Sequence, residues 1–312
     1  MPEGHHIHRL ALDLEHAYGG RPARVSSPQG RFADAAALLD GTVVVRAWAV
    51  GKHLFVQFAG DQVVHIHLGL IGKLRPFPWP GGPGQVRLRI GSPDAGVHDL
   101  SGPQTCELIS PEEAAVIGAA SGPDPLDPAA DRERAWVRLH RSSKTIAALL
   151  MDQSIFAGVG NIYRAEVLFR AGVDPFLPGK QLPRATFDGM WSDLVALMPQ
   201  GVIDDRIDTV RPDHSPEAMG RDPRVDRHGG EVYAYRRHEQ GCLVCGTPIR
   251  LVVHAARNLY WCPRCQPSGA DGTRRRRGPT RSSDHVSDAV ARQHFAQTGT
   301  ERRVWLRWRH DS

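Results

Sequence analysis

Two Cys-x-x-Cys pairs, Cys242 with Cys245 and Cys262 with Cys265, stand sixteen residues apart late in the chain. Each pair forms a tight knuckle that turns its thiolates to one side, and two knuckles joined by a β-hairpin supply the corners of a tetrahedral zinc site. The residues between them fit: Gly246 and Pro248 suit a knuckle, LVV and LYW suit two strands, and AARN suits the turn joining them. Four cysteines close the coordination shell, so one Zn2+ here is structural and not catalytic. In a cytosolic chain such clustered thiols read as metal ligands rather than disulfides, and the remaining Cys106 reads as a buried free thiol. Arg257 falls at the hairpin tip, either as a solvated turn residue or as a planar fork directed at a phosphate.

Upstream of the cysteines the pattern predicts an α+β protein. Ile7, Leu10, Ala11, Leu14 and Ala17 recur at helical spacing almost from the amino terminus, and short β-rich runs follow from Val43 to about Ile90. Residues 1–121 therefore read as an antiparallel β-sandwich or barrel carrying an amino-terminal helix. The proline-rich stretch that follows reads as a linker over 122–131. Helical periodicity then returns over 132–222, a Cys-rich module occupies 223–267, and a basic tail closes the chain over 268–312. The 312 residues, 41% hydrophobic and 23% charged, suffice for two such domains. No apolar run is long enough for a membrane span and the start MPEGHHIHRL lacks a signal peptide's apolar stretch, so a soluble cytoplasmic protein is expected.

The net charge of +5 leans toward an anionic partner. The tail alone, with ten arginines against five acids, accounts for it, leaving a neutral body. Within that body residues 132–172 carry seven basic side chains against three acids and residues 227–265 carry six against two. Positive charge is thus expected along a cleft between the two domains. The tail reads as a flexible basic arm adding non-specific DNA affinity, a partner-binding segment, or a dispensable extension.

In DQSIFAGVGNIYRAEVLF, Gly158, Val159 and Gly160 directly precede Asn161 and a helix. Glycines there let the backbone approach a ligand, and the amides of a helix start attract an anion such as a DNA phosphate. A tight turn between helices is the alternative. Lys144, Arg164 and Arg170 read as flanking phosphate contacts or as an exposed face.

The start Met1-Pro2-Glu3-Gly4, the Gly51-Lys52-His53-Leu54 segment, the MDQ and GVGNIYRAE segments and the four-Cys hairpin with Arg257 occur in the order found in the formamidopyrimidine-DNA glycosylase and endonuclease VIII family. The chain closely resembles that family over residues 1 to about 267. Gly4, where the formamidopyrimidine branch usually has Leu, makes it more similar to the endonuclease VIII branch, in an actinobacterial style. The resemblance implies a helix-two-turn-helix domain, a zinc β-hairpin, and a monomeric base-excision-repair enzyme acting on double-stranded DNA that contains oxidised bases or abasic sites. It implies catalytic roles for Pro2, Glu3, Lys52 and Arg257, and DNA contacts by Asn161, Lys144, Leu70 and Arg164.

The chemistry supports those residues independently. Removal of Met1 exposes Pro2 as a secondary amine, and α-amino groups titrate near about 8. Its attack on the anomeric carbon expels the base and leaves an iminium that cannot be neutralised at nitrogen, an electron sink for β,δ-elimination. Glu3 is placed to move protons, and Lys52 is a compact mobile donor. Pro2 and Glu3 also suit a plain helix start. The resemblance places Leu70 of HIHLGLIGK as the wedge filling the hole left by a flipped nucleotide, against an ordinary core leucine. Oxidised pyrimidines are implied as substrates, with oxidised purines and formamidopyrimidines as the alternative. The segment GSPDAGVHDLSGPQTCEL lacks the arginine and aromatic pair of the formamidopyrimidine branch, which favours the former. Two other readings stay open: a non-catalytic zinc-hairpin protein binding damaged DNA, and a metal hydrolase built on His5, His6, His8, His65 and His67.

Overall fold

Ile7, Leu10, Ala11 and Leu14 all turn inward from one helix, α1 (Gly4–Tyr18), and the sandwich is assembled against that stripe. The computed structural model describes residues 2–226 and 230–268. Short strand β1 (Arg24–Ser26) and helix α2 (Ala33–Leu39) lead into β2 (Val44–Val50), β3 (His53–Phe58) and β4 (Gln62–His67). They are followed by β5 (Lys73–Phe77), β6 (Leu88–Ser92), β7 (Gly96–Ser101) and β8 (Thr105–Ile109). One sheet has the order β2-β3-β4-β8 and the other β1-β6-β7-β5, with every ladder antiparallel. Leu54, Val56, Val64 and Ile66 alternate onto the inner face of the first sheet and meet Leu74, Leu88, Ile90 and Leu100 of the second. The expected sandwich is present. Cys106 packs at the margin of this core, and burial pushes its thiol up to about 12.

Helix α3 (Pro111–Ala120) starts at a capping box in which Ser110 and Glu113 satisfy each other's backbone amides. It covers part of the outer face of the first sheet, with Ala114 against Phe55 and Val63.

The stretch expected as a linker over 122–131 is packed inside in its first half. Residues 121–126 are buried. Asp124 explains this: its carboxylate accepts the Gly51 amide at 2.7 Å, the Leu126 amide at 2.9 Å and Nε2 of His8 at 2.9 Å. The segment is a clamp between α1 and the β2–β3 turn, because a buried carboxylate persists only where its oxygens are satisfied. Proline content marked it as non-helical without marking it as exposed.

The second half contains α4 (Arg132–His140), α5 (Ile146–Leu149), α6 (Asn161–Arg170), α7 (Arg184–Asp204) and α8 (Pro216–Met219). The hairpin follows as β9 (Arg250–His254) and β10 (Arg257–Trp261). Ile249, Leu259, Tyr260, Cys242 and Cys262 belong to the same apolar cluster as Leu149, Phe156, Phe187 and Leu194. The cysteine module is therefore built onto the helical body. Glu166 of α6 reinforces the junction by accepting the amides of Tyr233, Ala234 and Tyr235. Among the described residues no helix is long and apolar enough to cross a membrane. The basic tail lies, from residue 269 onward, outside the described residues.

Candidate active site

Glu3 caps α1 with its backbone while its side chain leaves that helix altogether. The carboxylate is buried and accepts the amides of Gly160 at 3.1 Å, Ile162 at 2.7 Å and Tyr163 at 3.3 Å, which form the start of α6. Helix amides and dipole favour an anion there. The sequence suggested that this helix start would attract a phosphate; the structure fills it with the protein's own carboxylate. Burial raises the Glu3 carboxyl above its ordinary range, opposed by the nearby Lys52 charge and by the three amides.

Close backbone approach makes that contact available. The Gly4 amide donates to the Gly158 carbonyl at 2.8 Å, and a Cβ on Gly4 would lie 2.7 Å from the Gly158 Cα. Gly158 itself has φ +80°, and Gly51 on its other side has φ +58°. Three glycines from three segments thus meet where α1, the β2–β3 turn and the α6 approach converge.

Lys52, on that turn, donates from Nζ to the Val159 carbonyl at 2.8 Å. The same carbonyl accepts Nε2 of Gln153 at 2.9 Å, and Gln153 Oε1 accepts the Gly158 amide at 3.1 Å. Burial lowers the Lys52 ammonium to about 8; Glu3 pulls it back up and Arg257 pushes it further down. Pro2, Lys52, Leu70 and Arg257 border one cleft, together with His67, Gln104, Met151 and Gln153. Three residues expected to be catalytic and the expected wedge therefore share a single opening, and the buried Glu3 directly follows Pro2. Leu70 is 56% exposed, which removes the reading as a core leucine.

Asn161 and Arg164 correct the expectation in another way. Arg164 is fully buried and donates from Nη2 to the Asn258 carbonyl at 3.0 Å and to Oδ1 of Asn161. Asn161, also buried, donates to that same Asn258 carbonyl at 2.9 Å. Arg164 is no exposed phosphate contact, and both side chains grip the backbone next to Arg257. Burial lowers the Arg164 guanidinium to about 10, with Glu3 opposing that and Arg257 adding to it. Arg170 is likewise committed internally, to Asp193 at 2.8 Å. Lys144 is exposed.

Arg257 begins β10 directly after Ala255 and Ala256, whose φ values of +50° and +58° make a two-residue hairpin turn of the primed type. His254, across the turn, meets Thr145 Oγ1 at 2.6 Å and so pins the tip to the helical body. The four cysteine sulfurs lie within 4.8 Å of one another, with Cys242 to Cys265 at 3.8 Å and Cys245 to Cys262 at 3.5 Å. Sulfurs about 2.3 Å from a tetrahedral zinc stand roughly 3.8 Å apart, so the set fits that ion. The amides of Val244 and Cys265 point at the sulfurs of Cys242 and Cys262, as knuckles require. Among the described residues no second metal-holding group occurs, which removes support from the histidine hydrolase.

Sequence reasoning missed Asp124, Gln153 and the cleft position of His67. The only signal for Gln153 was its place within the MDQ segment.

Three family models match the chain: the formamidopyrimidine-DNA glycosylase N-terminal domain over residues 1–101, the formamidopyrimidine-DNA glycosylase H2TH domain over 121–211, and the zinc finger found in FPG and IleRS over 240–267. The chain is 46% identical to Endonuclease 8 1 of Mycobacterium tuberculosis over 275 residues, covering 85% of this chain and 100% of that protein. It is 32% identical to Probable endonuclease 8 2 of Streptomyces coelicolor over 303 residues, 89% of this chain and 100% of the relative. Its fold is similar to that of MutM in complex with DNA containing carbocyclic 8-oxo-G, with a TM-score of 0.69 at 22% identity over 86% of this chain and 100% of the other.

Proposed function

We propose that this chain, which belongs to the family of formamidopyrimidine-DNA glycosylases and endonucleases VIII, removes oxidised bases from double-stranded DNA through a Schiff base on Pro2 and cuts the strand by β,δ-elimination. As a member of that family it is a DNA N-glycosylase and abasic-site lyase of base excision repair. The observation that carries the mechanism is the cleft shared by Pro2, Lys52 and Arg257, with the buried Glu3 directly following Pro2.

After Met1 is removed, the Pro2 lone pair attacks C1′, the glycosidic pair leaves with the base, and ring opening gives an iminium. Burial lets Glu3 hold a proton more readily than an ordinary carboxyl, which suits it to protonate the opening sugar oxygen. Lys52, with its ammonium lowered to about 8, gives and takes protons near neutrality as the phosphates leave. Arg257 holds a flanking phosphate with its planar fork, Lys144 meets the backbone, and Leu70 enters the vacated stack. Asn161 and Arg164 act underneath by holding the strand that carries Arg257. The zinc, held by Cys242, Cys245, Cys262 and Cys265, fixes the hairpin and takes no chemical step.

Oxidised pyrimidines are the favoured substrates. The similarity to two endonucleases 8 supports this, as does the three-residue β7–β8 connection, Gly102 to Gln104, which offers no arginine or aromatic side chain to insert into a duplex. The enzyme acts as a monomer on DNA in the cytoplasm.

Borohydride reduction in the presence of abasic duplex should trap a covalent complex, and one extra residue before Pro2 should abolish it. A protein that binds damaged duplex without trapping would instead be the non-catalytic zinc-hairpin binder. Incision of duplexes bearing single defined lesions then ranks pyrimidines against purines, and phosphate on both sides of the gap marks both eliminations.

A further inference from the structure

The outer face of the first sheet carries a polar line that the reaction described above does not use. His53 stands opposite His67, Phe55 opposite His65, and His65 opposite Glu107 across β3, β4 and β8. Nδ1 of His53 lies 2.9 Å from Nε2 of His65, and Nδ1 of His65 lies 2.8 Å from Oε1 of Glu107. His65 is 4% exposed, whereas the Glu107 side chain is 51% exposed. At the other end the His53 ring is 5.1 Å from that of His67, which borders the cleft with Pro2 and whose Nδ1 is buried without a hydrogen-bond partner. Buried polar atoms are rarely left so without a reason.

We propose that His67, His53, His65 and Glu107 form a proton exit from the cleft to the protein surface. This rests on the Pro2 reading, because an α-amino group must shed its ammonium proton before its lone pair attacks.

The hydrogen bonds give the line a direction. An ionised carboxylate only accepts, so His65 presents Nδ1–H to Glu107 and its Nε2 is the acceptor for Nδ1–H of His53. Nε2 of His53 is then its remaining acceptor, on the ring that lies beside His67. His67 takes the Pro2 proton on its unprotonated ring nitrogen and releases the proton of its other nitrogen to His53 Nε2. His53 releases its Nδ1 proton to His65 Nε2, and His65 releases its Nδ1 proton to Glu107, which yields it to water. One proton leaves the amine, one enters solvent, and no electrons are exchanged.

Burial keeps His53 and His67 neutral at rest. Burial lowers His53 to about 4, with His65 and His67 adding to the effect, and lowers His67, with His65 and Lys52 adding. Phe55 stacks on His65 at 5.1 Å and holds its plane. On β2 the nearest cation, Arg46, lies over Trp48. Helix α3 brings Ala114 and Ile117 to this face, its acids Glu112 and Glu113 being in its first turn.

Glu107→Gln tests the idea, because the amide oxygen still accepts the His65 hydrogen bond but takes no proton. In the zinc-loaded full chain, single-turnover borohydride trapping on abasic duplex is followed at low buffer concentration across pH 6 to 9. The exit predicts a rate lowered on the order of tenfold, affinity for the duplex unchanged, and recovery as imidazole is added. His65→Gln and His53→Phe should behave alike. A rate in Glu107→Gln equal to wild type at low buffer overturns the proposal, as does a loss that imidazole does not restore. Absence of any trapped complex with wild type would instead strike the Pro2 reading itself.

Discussion

Ile162 donates its amide to the Glu3 carboxylate at 2.7 Å, joining the residue beside the amino-terminal proline to the start of a helix that begins at Asn161. The same approach brings Gly158 onto Gly4 and the Val159 carbonyl onto Lys52.

Gly4→Ala should disturb that approach directly. Its Cβ would stand 2.7 Å from the Gly158 Cα and 3.1 Å from the Met198 Cε, and only the methionine tip yields cheaply. Overpacking of this kind costs about 1–3 kcal/mol. Denaturant unfolding should register that loss, with a fall in trapping rate larger than in Gly189→Ala, where nothing lies within 4 Å of the new Cβ and the backbone is helical.

Lys52 makes stability depend on pH in a defined direction. Folding lowers its ammonium from 10.5 to about 8, so the folded state favours the neutral amine. The associated stability is present above pH 10.5 and lost as pH falls through 8. Lys52→Met should therefore melt higher than wild type below pH 8, with the gap closing on the alkaline side, while losing strand cleavage. A melting difference independent of pH would contradict the assignment.

Arg257 and Arg164 should separate in a salt titration. A phosphate contact on duplex DNA contributes roughly 0.9 to the slope of log affinity against log salt. Arg257→Ala should lower the slope by about that amount, whereas Arg164→Met should weaken binding by displacing the Asn258 backbone and leave the slope unchanged.

Removal of the metal should reach beyond the hairpin. Cys242 and Cys262 share an apolar cluster with Tyr163, Phe169 and Tyr233, so chelation or Cys262→Ser should lower the melting temperature of the helical body and release Arg257 from the cleft. Metal analysis of the native protein should give one zinc per chain; intact trapping after complete chelation would show that the hairpin is dispensable.

What could be read in advance followed from sequence distance. The cysteines, the strands and the α6 start are local patterns, in which spacing alone dictates chemistry or periodicity. Pro2, Lys52 and Arg257 were identifiable through their motifs, but their convergence is tertiary. Arg164 was misplaced because a cation in an amphipathic helix is usually solvated, and nothing local reveals that the Asn258 carbonyl and Asn161 wait for it inside. Asp124 was hidden for the same reason: the prolines around it suggested a linker, and its partners Gly51 and His8 lie far back in the chain.

The bond between Glu3 and the α6 start also orders events during synthesis. A chain emerges amino terminus first, so Pro2 leaves the ribosome long before the segment that supplies the Gly160, Ile162 and Tyr163 amides. Until those amides arrive the acid beside the amine has no pocket, and Arg257 arrives later still. A product truncated before residue 160 would carry Pro2 and Glu3 without the amides that hold the carboxylate.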